Sequence, residues 1–453
     1  MKKNLICILL AGCLLVTVLG CSEKTSTSSN TTAIPNTTNS INTTNTINST
    51  NTTNAISTST SISAAPTSTG TNTTYKFDRT FTFYALLPLS GGAASSGISQ
   101  SRADQWAMDL VNSEGGIVVG GVRYKVALQT FDHAMDNTKS ATLASMVISQ
   151  YNAKYVATCT TGCTLTTQDI FAKNSVFVLA NANPTIYTFG PKWPLTFADS
   201  PCLMDFGPTT YYPYFVNNLG IKTIALANGD NDMGRIQSAA CKDPIKNNNY
   251  PLTILADEYY TPGTQDFSPL INKLLALNPD MIDMGGSTVG DFSLFCKQVR
   301  EKGYKGYVSC MASFPDPATL WNVAGNASVG VYYCGFGGIP DPTPEYAAFR
   351  TKYEKTFNET MFTIVPYNYE HMVYLLRAIN QANSFDPYKV ASVLQDTTWK
   401  GMYGTVKYIG GQPGDPIALK RVPAMPIPLL RELANAKTEI MQFLGYGPQP
   451  ITK

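Results

Sequence analysis

Reactive side chains are few and scattered in this 453-residue chain. It has two histidines, His133 and His371, so a His-based catalytic or metal site has little to be built from. Cys159 and Cys163 stand in a C-x3-C pair that could bind zinc or carry redox chemistry. No second pair at finger-like spacing and no nearby His accompanies them, which points away from both. Neither a G-x-S-x-G element, a Walker loop nor a Cys–His couple occurs. An enzyme is the least favoured class, for want of an activated nucleophile or an acid–base pair. What remains is recognition chemistry. The run Tyr155–Cys159 leads into Thr160-Thr161-Gly162 at the head of a helix, where free N–H groups and the helix dipole would hold an anion without any cationic side chain. Thr160 could equally serve as an ordinary N-cap. Asn181 and Asn183 lie on the adjacent loop.

These residues sit in a regular alternation that begins near Phe77. Thr80–Leu87 is a β-branched and aromatic run ending in Pro88 and Gly91-Gly92, a strand and its loop. Ala103, Trp106, Ala107, Leu110 and Val111 recur at helical spacing until Gly115-Gly116. Further strands are expected at Tyr124–Phe131, Tyr155–Thr158, Val176–Ala180, Thr223–Ala227, Leu252–Leu255, Met281–Met284, Tyr307–Cys310 and Val329–Tyr333. Helices fall between them, among them Asp266–Leu277 and Gly290–Lys302. Such interleaving means parallel sheets covered on both faces, and ten or so strands divide more comfortably into two α/β lobes than one. Ligands of open parallel sheets bind beyond the carboxyl ends of the strands. Tyr346, Phe349, Tyr353 and Phe357 read as a helical core stripe, not a ligand box. His133 reads as hydrogen-bonded support and His371, in the helix Tyr367–Asn380, as packing or a solvated face.

The N-terminus is of another kind. Lys2 and Lys3 precede an apolar stretch from Leu5 to Leu19, the layout of a secretory signal and too short for a comfortable membrane span. It closes in Val18-Leu19-Gly20-Cys21, which resembles a bacterial lipobox, so residues 1–21 are expected to be a lipoprotein signal and Cys21 the lipidated residue. Leu10-Ala11-Gly12-Cys13 fits the box in residue type but leaves too short an apolar region. From Ser22 to Thr74, 39 of 53 residues are Ser, Thr or Asn, too polar to order a backbone. The segment 22–75 is therefore expected to be a disordered tether, with a reach of roughly 40 Å. Its sequons at Asn30, Asn36, Asn42, Asn48, Asn51 and Asn72 could accept glycans in a host able to attach them. A net charge of +2 gives no footprint for nucleic acid, and no other apolar run could cross a bilayer.

The order of local signals is similar to that of the extracytoplasmic solute-binding proteins of ABC importers, branched-chain amino acid type. The matching pieces are Ala85-Leu86-Leu87-Pro88-Leu89-Ser90-Gly91, Val111-Asn112-Ser113-Glu114-Gly115-Gly116-Ile117, Phe131-Asp132-His133-Ala134-Met135-Asp136, Gly263-Thr264-Gln265-Asp266-Phe267-Ser268-Pro269-Leu270, Asn278-Pro279-Asp280-Met281-Ile282 and Lys302-Gly303-Tyr304. Each is weak alone. Six in the family's order, from about residue 80 to 410, are specific. The resemblance implies the type I periplasmic-binding-protein fold: two Rossmann-like α/β lobes with parallel sheets, joined by three crossover segments and hinged over a small-molecule ligand. Residues 76–199 and 335–400 would form the N-terminal lobe, 200–334 and 401–453 the C-terminal lobe. Partners would be an ABC permease and ATPase, with the membrane reached through the lipid on its outer face and no cofactor or metal. A sensing module without transport, or a surface adhesive lipoprotein, would use the same anchor and tether.

The resemblance also places a ligand site. It implies Ser90, Ser95, Ser96, Thr160, Thr161, Ala182 and Asn183 from one lobe, and Met233, Thr288 and Ser313 from the other. Departures from the family matter more. Met233 replaces a tyrosine before Gly234, Ser287-Thr288 replaces another after Gly285-Gly286, and Ser313 stands where relatives place the carboxylate for an ammonium group. A buried ammonium needs a carboxylate or an aromatic cage. The expected ligand is therefore a small neutral or anionic organic solute, not a simple amino acid, unless Asp205, Asp230, Asp232, Asp291 or Asp316 stands in for the missing acid. After Cys21 seven cysteines remain, an odd number. The family's strand-two disulfide is absent because Met135 occupies its first position. Cys310 and Cys334 could pair or be small buried residues.

Overall fold

The structure is a computed structural model and describes residues 74–91, 93–182, 189–200, 207–247, 249–311, 317–334, 341, 343–362, 364–410, 420–424 and 427–444. The expected signal, Cys21 and the tether up to residue 73 lie outside them, as do Asn183, Cys202, Asp205, Ser313 and Asp316.

The first sheet has six strands: β1 (Arg79–Leu87), β2 (Ile117–Val119), β3 (Val122–Asp132), β4 (Tyr155–Cys159), β5 (Phe177–Asn181) and β6 (Thr196–Ala198). Their order is β2-β3-β1-β4-β5-β6, parallel except for the β2–β3 hairpin. Strand β1 is apolar on both sides, which is what a doubly covered parallel strand requires. Phe83, Ala85 and Leu87 face α1 (Ala94–Ser113), while Tyr84 and Leu86 face α2 (Asn137–Ser149) and α3 (Thr161–Lys173). The chain reverses its direction of progress between β1 and β4, so a crevice opens at their carboxyl ends.

The second sheet is built likewise on β7 (Thr223–Gly229), β8 (Thr253–Tyr260), β9 (Met281–Asp283), β10 (Tyr307–Cys310) and β11 (Tyr332–Cys334). With β15 (Ile427–Glu432) and β16 (Thr438–Leu444) the order is β16-β15-β11-β10-β9-β7-β8, and its crevice falls between β7 and β9. Helices α4 (Gly207–Leu219) and α5 (Asp232–Asn247) cover one face, α6 (Ser268–Leu275) and α7 (Val289–Glu301) the other; α8 (Pro317–Ala324) follows β10.

Helices α9 (Pro344–Phe357), α10 (Val365–Ala382) and α11 (Pro387–Asp396) return to the first sheet. The aromatic stripe of α9 is indeed core: Trp106 of α1 meets Phe349, Tyr353 and Phe357 at ring-centroid distances of 5.5, 5.7 and 5.5 Å. The C-terminal hundred residues depart from the sequence reading. Strands β12 (Trp399–Gly401), β13 (Gly404–Ile409) and β14 (Val422–Ala424) form an antiparallel ribbon on the first lobe, where the expected 401–453 segment gave β13 and β14 to the second. Tyr408 packs on Phe197 at 5.4 Å, and the Ala198 amide donates to the Arg421 carbonyl at 2.8 Å. Only β15 and β16 join the second sheet. The chain thus passes between sheets three times, within 199–207, 334–344 and 424–427.

The cysteines follow from the sheets. Cys310 is in register with Tyr333, so Cys334 points to the opposite face, and the two lie in different core clusters. A bridge between them is geometrically ruled out; both are free, as are Cys159, Cys163, Cys241 and Cys296.

Candidate ligand site at the strand ends

At the end of β1, Ser90 is exposed and committed to Asp132 at the end of β3. Its hydroxyl donates to Oδ2 at 2.6 Å and its amide to Oδ1 at 3.3 Å. Asp132 also accepts the amides of Leu89 and Ala134, each at 2.8 Å. Burial opposes its ionisation, but the hydrogen bonds from Ser90, Ala134 and Leu89 outweigh it and hold the carboxyl below its ordinary range. Ser90 therefore shapes the loop; its hydroxyl proton is not available to a ligand. His133 is support of the same kind, as the sequence reading expected: buried, accepting the Met135 amide on Nδ1 at 3.2 Å and donating from Nε2 to the Cys159 carbonyl at 3.1 Å. Ser95 is exposed and Ser96 half-buried in the first turn of α1.

At the β4–α3 turn the local geometry is unusual. Thr160 has φ 80° and ψ 144°, a left-handed backbone that a β-branched residue adopts only under constraint. Its amide donates to the Asn181 carbonyl at 2.9 Å, and its hydroxyl accepts the Cys163 amide at 3.3 Å. Thr160 is thus the N-cap of α3, and the constraint fixes where that helix begins. Thr161 behind it is buried, and a Cβ on Gly162 would come within 2.8 Å of the Asn137 amide oxygen. Ala182 is buried at the end of β5. Cys159 and Cys163 flank the turn as buried thiols, Cys163 pushed by burial up to about 12, so neither offers a thiolate at neutral pH.

On the second lobe three glycines bring backbones together. A Cβ on Gly234 would lie 1.9 Å from the Gly229 carbonyl oxygen, and one on Gly286 would lie 2.5 Å from the Gly234 Cα. Asn228, buried between them, accepts the Gly286 amide at 2.8 Å. Met233, half-buried, and Thr288, exposed, stand in or before the first turns of α5 and α7. Thr288 is the N-cap of α7, accepting the Asp291 amide at 3.2 Å. Two of the stand-in acids, Asp230 and Asp291, are already engaged. Asp230 Oδ1 accepts both Nη2 and Nε of Arg235, at 2.6 and 3.0 Å, and that guanidinium lies 3.7 Å over the Tyr259 ring. Asp291 accepts the Gly263 amide at 3.1 Å beside the Tyr260 hydroxyl. Burial raises its carboxyl above the ordinary range. Asp232 is exposed in the first turn of α5.

The described site residues thus gather on two edges, six at the carboxyl end of the first sheet and two at that of the second. Helices α3 and α5, which start from these two edges, are in contact. Two surface cavities, of about 570 and 520 Å³, lie elsewhere: one at the opposite end of the second sheet beside Lys302 and Tyr304, the other over Glu370 and Met402. The strand ends are the better candidate, because capped helix starts and the crevices of both sheets converge there. Among the described residues no cluster of three metal-ligating groups occurs, and no helix is long and apolar enough to cross a membrane. The sequence reading missed a buried amide and carboxyl network around Asn181; Gln100, Asp104, Asp199 and Asn368 carry no local pattern that would have found it.

Two doubly wound sheets, joined three times and each carrying polar strand ends, define a two-lobed α/β receptor architecture. The periplasmic binding protein family matches residues 83–424, and this chain belongs to that family. Leu/Ile/Val-binding protein homolog 2 of Brucella abortus is 26% identical over 325 residues, spanning 70% of this chain and 82% of its own length. The Leu/Ile/Val-binding protein of Escherichia coli is 21% identical over 315 residues, 68% of this chain and 80% of its own. The same fold is seen in a leucine-binding protein of Thermotoga maritima, with TM-score 0.67 and 19% identity over 80% of this chain and 98% of that one. A branched-chain amino acid transporter substrate-binding protein of Streptococcus pneumoniae, solved with isoleucine, gives 0.68 and 18%, over 81% and 99%. A solute-binding protein of R. palustris, solved with benzoate, gives 0.67 and 15%, over 81% and 97%.

Proposed function

We propose that this chain is the extracytoplasmic substrate receptor of an ABC importer, tethered through lipidated Cys21 and closing its two lobes over a small organic solute. The constrained Thr160 turn carries this reading: a helix start held at a sheet's switch point is a seat for a carboxylate or another hydrogen-bond acceptor. Thr161, Ala182, Ser95 and Ser96 would line the same side, with Asn183 from the adjoining loop, and Met233, Thr288 and Ser313 would close from the other. The ligand is neutral or anionic rather than a zwitterionic amino acid. Asp230 and Asp291 are engaged within the lobe, and Ser313 stands in the place of an acid. The R. palustris solute-binding protein of this fold was solved with benzoate, an anion with no ammonium group, which supports this reading.

The test is a thermal-shift and calorimetric screen of carboxylates, amides, polyols and amino acids. A true ligand at a hundred times its dissociation constant adds about 2.7 kcal/mol of stability. Tight binding of leucine, isoleucine or valine would overturn the ligand class. An unlipidated N-terminus in the secreted protein would overturn the anchor.

A further inference from the structure

Asn181, the last residue of β5, joins the Thr160 turn to the interior of the first lobe. Its carbonyl oxygen accepts the Thr160 amide at 2.9 Å, so the residue is fastened to the start of α3. Its side chain reaches the other way. Nδ2 donates to Gln100 Oε1 of α1 at 3.2 Å and to Asn368 Oδ1 of α10 at 3.3 Å. Asn368 in turn donates from Nδ2 to Asp199 Oδ2, just past the end of β6. Gln100, Asn368 and Asp199 are each only 1% exposed.

These bonds have a direction. The Asp199 carboxyl accepts, so the Asn368 NH2 group faces it and the Asn368 carbonyl oxygen is left to face Asn181. An asparagine side chain has two N–H hydrogens, and Asn181 spends both on inward acceptors. Turning its amide over would require Gln100 and Asn368 to turn with it, and would set the Asn368 carbonyl oxygen against the Asp199 carboxyl in a buried place where mismatched polar groups are costly. The amide is therefore held with Oδ1 on its outer edge. That oxygen accepts nothing among the described residues, and Asn181 is half-buried where Gln100 and Asn368 are buried.

We infer that Asn181 Oδ1 is a specificity-determining acceptor in the ligand crevice, and that the solute carries a neutral hydrogen-bond donor, a hydroxyl or a carboxamide, beside its carboxylate. The inference rests on the receptor reading of this site and adds one requirement to it. The helix start at Thr160 takes an acceptor group of the solute, and Asn181, fastened to that start through its own carbonyl, takes a donor. The donor is neutral because Oδ1 carries no full negative charge, which a buried ammonium would need. An acid lacking the donor leaves Oδ1 desolvated and unpaired once the lobes close, a larger penalty than the net gain from an ordinary hydrogen bond.

The experiment titrates the full chain calorimetrically with matched trios that differ in one group beside the carboxylate: propanoate, lactate and alanine, then phenylacetate, mandelate and phenylglycine. In the skeleton that fits, the hydroxy acid binds about tenfold more tightly than its parent acid, and more tightly than the amino acid. In Asn181→Leu, which loses the acceptor, the hydroxy acid falls to the affinity of the parent acid, with urea unfolding as the check that the variant is folded. The wild-type comparison decides the matter by itself if the variant does not fold. A parent acid that binds as tightly as its hydroxy acid, a preference that survives in folded Asn181→Leu, an amino acid that binds tightest, or no binding in either trio each overturns the inference. The receptor reading falls on a different observation, namely that no solute of any class in the wider screen stabilises the chain.

Discussion

At the scale of single residues, Thr160 joins local strain to recognition. Its left-handed backbone costs energy that a glycine would not incur, while its hydroxyl caps α3. The two effects separate by substitution. Thr160→Ala keeps the strain and loses the cap, and a loss of about 1 kcal/mol in chemical denaturation is expected. Thr160→Gly relieves the strain and loses the same cap, so its stability lies close to wild type. Both variants weaken binding of whichever solute the screen identifies, because both delete the hydroxyl beside the helix start. Unchanged affinity in both would remove Thr160 from the site and leave it a cap alone. The same scale shows where sequence reading has limits. The turn at Thr160 was legible because a strand running into a helix is a local pattern, whereas Ala182 was reached only through the family resemblance. That the Ser90 hydroxyl is spent on Asp132, 42 residues away, was not legible.

At the scale of elements, the mouth of the second lobe is built by close backbone approach. The β7–α5 turn and the β9–α7 turn touch through Gly229, Gly234 and Gly286, with Asn228 bridging them. A Cβ at Gly234 meets a carbonyl oxygen of the main chain, which cannot swing aside as a side chain would. Gly234→Ala is therefore expected to cost about 1–3 kcal/mol or more, measured as a lowered urea midpoint, with ligand affinity falling alongside. A stable, fully binding Gly234→Ala would show that the two turns can separate freely. Element type was largely readable here: β7 to β11 and the helices between them follow from alternation alone. The ribbon β12–β14 was not, because its short strands pair antiparallel and choose a lobe through Phe197, Tyr408 and Arg421, contacts between segments 200 residues apart.

At the scale of the whole molecule, buried ionisable groups set the pH dependence of stability. Burial raises Asp199, Asp283 and Glu370 to about 7 from ordinary values of 3.8, 3.8 and 4.5. A folded state that holds these protons more tightly is most stable below the unfolded values and loses that advantage as pH climbs from about 4 to 7. His371 works in the other direction. Burial lowers it to about 3, so its neutral form favours folding above 6.5 and costs stability as pH falls from 6.5 towards 3. Three acids outweigh one imidazole, and the unfolding free energy is expected to decline between pH 4.5 and 7.5. Asp283→Asn, which removes the acid beside the Tyr212 hydroxyl, should make that decline shallower. A curve that rises steadily to neutrality would mean that the acids are hydrated in solution.

The sequence by itself determined the alternation of strand and helix, and with it the two parallel sheets and the strand ends as the place to look. Those are consequences of periods and neighbours within a dozen residues. Only the tertiary structure decided that Ser90 belongs to Asp132 and that Cys310 and Cys334 face away from each other. Pairing and burial depend on which distant segments a sheet brings together, and no local spacing encodes that.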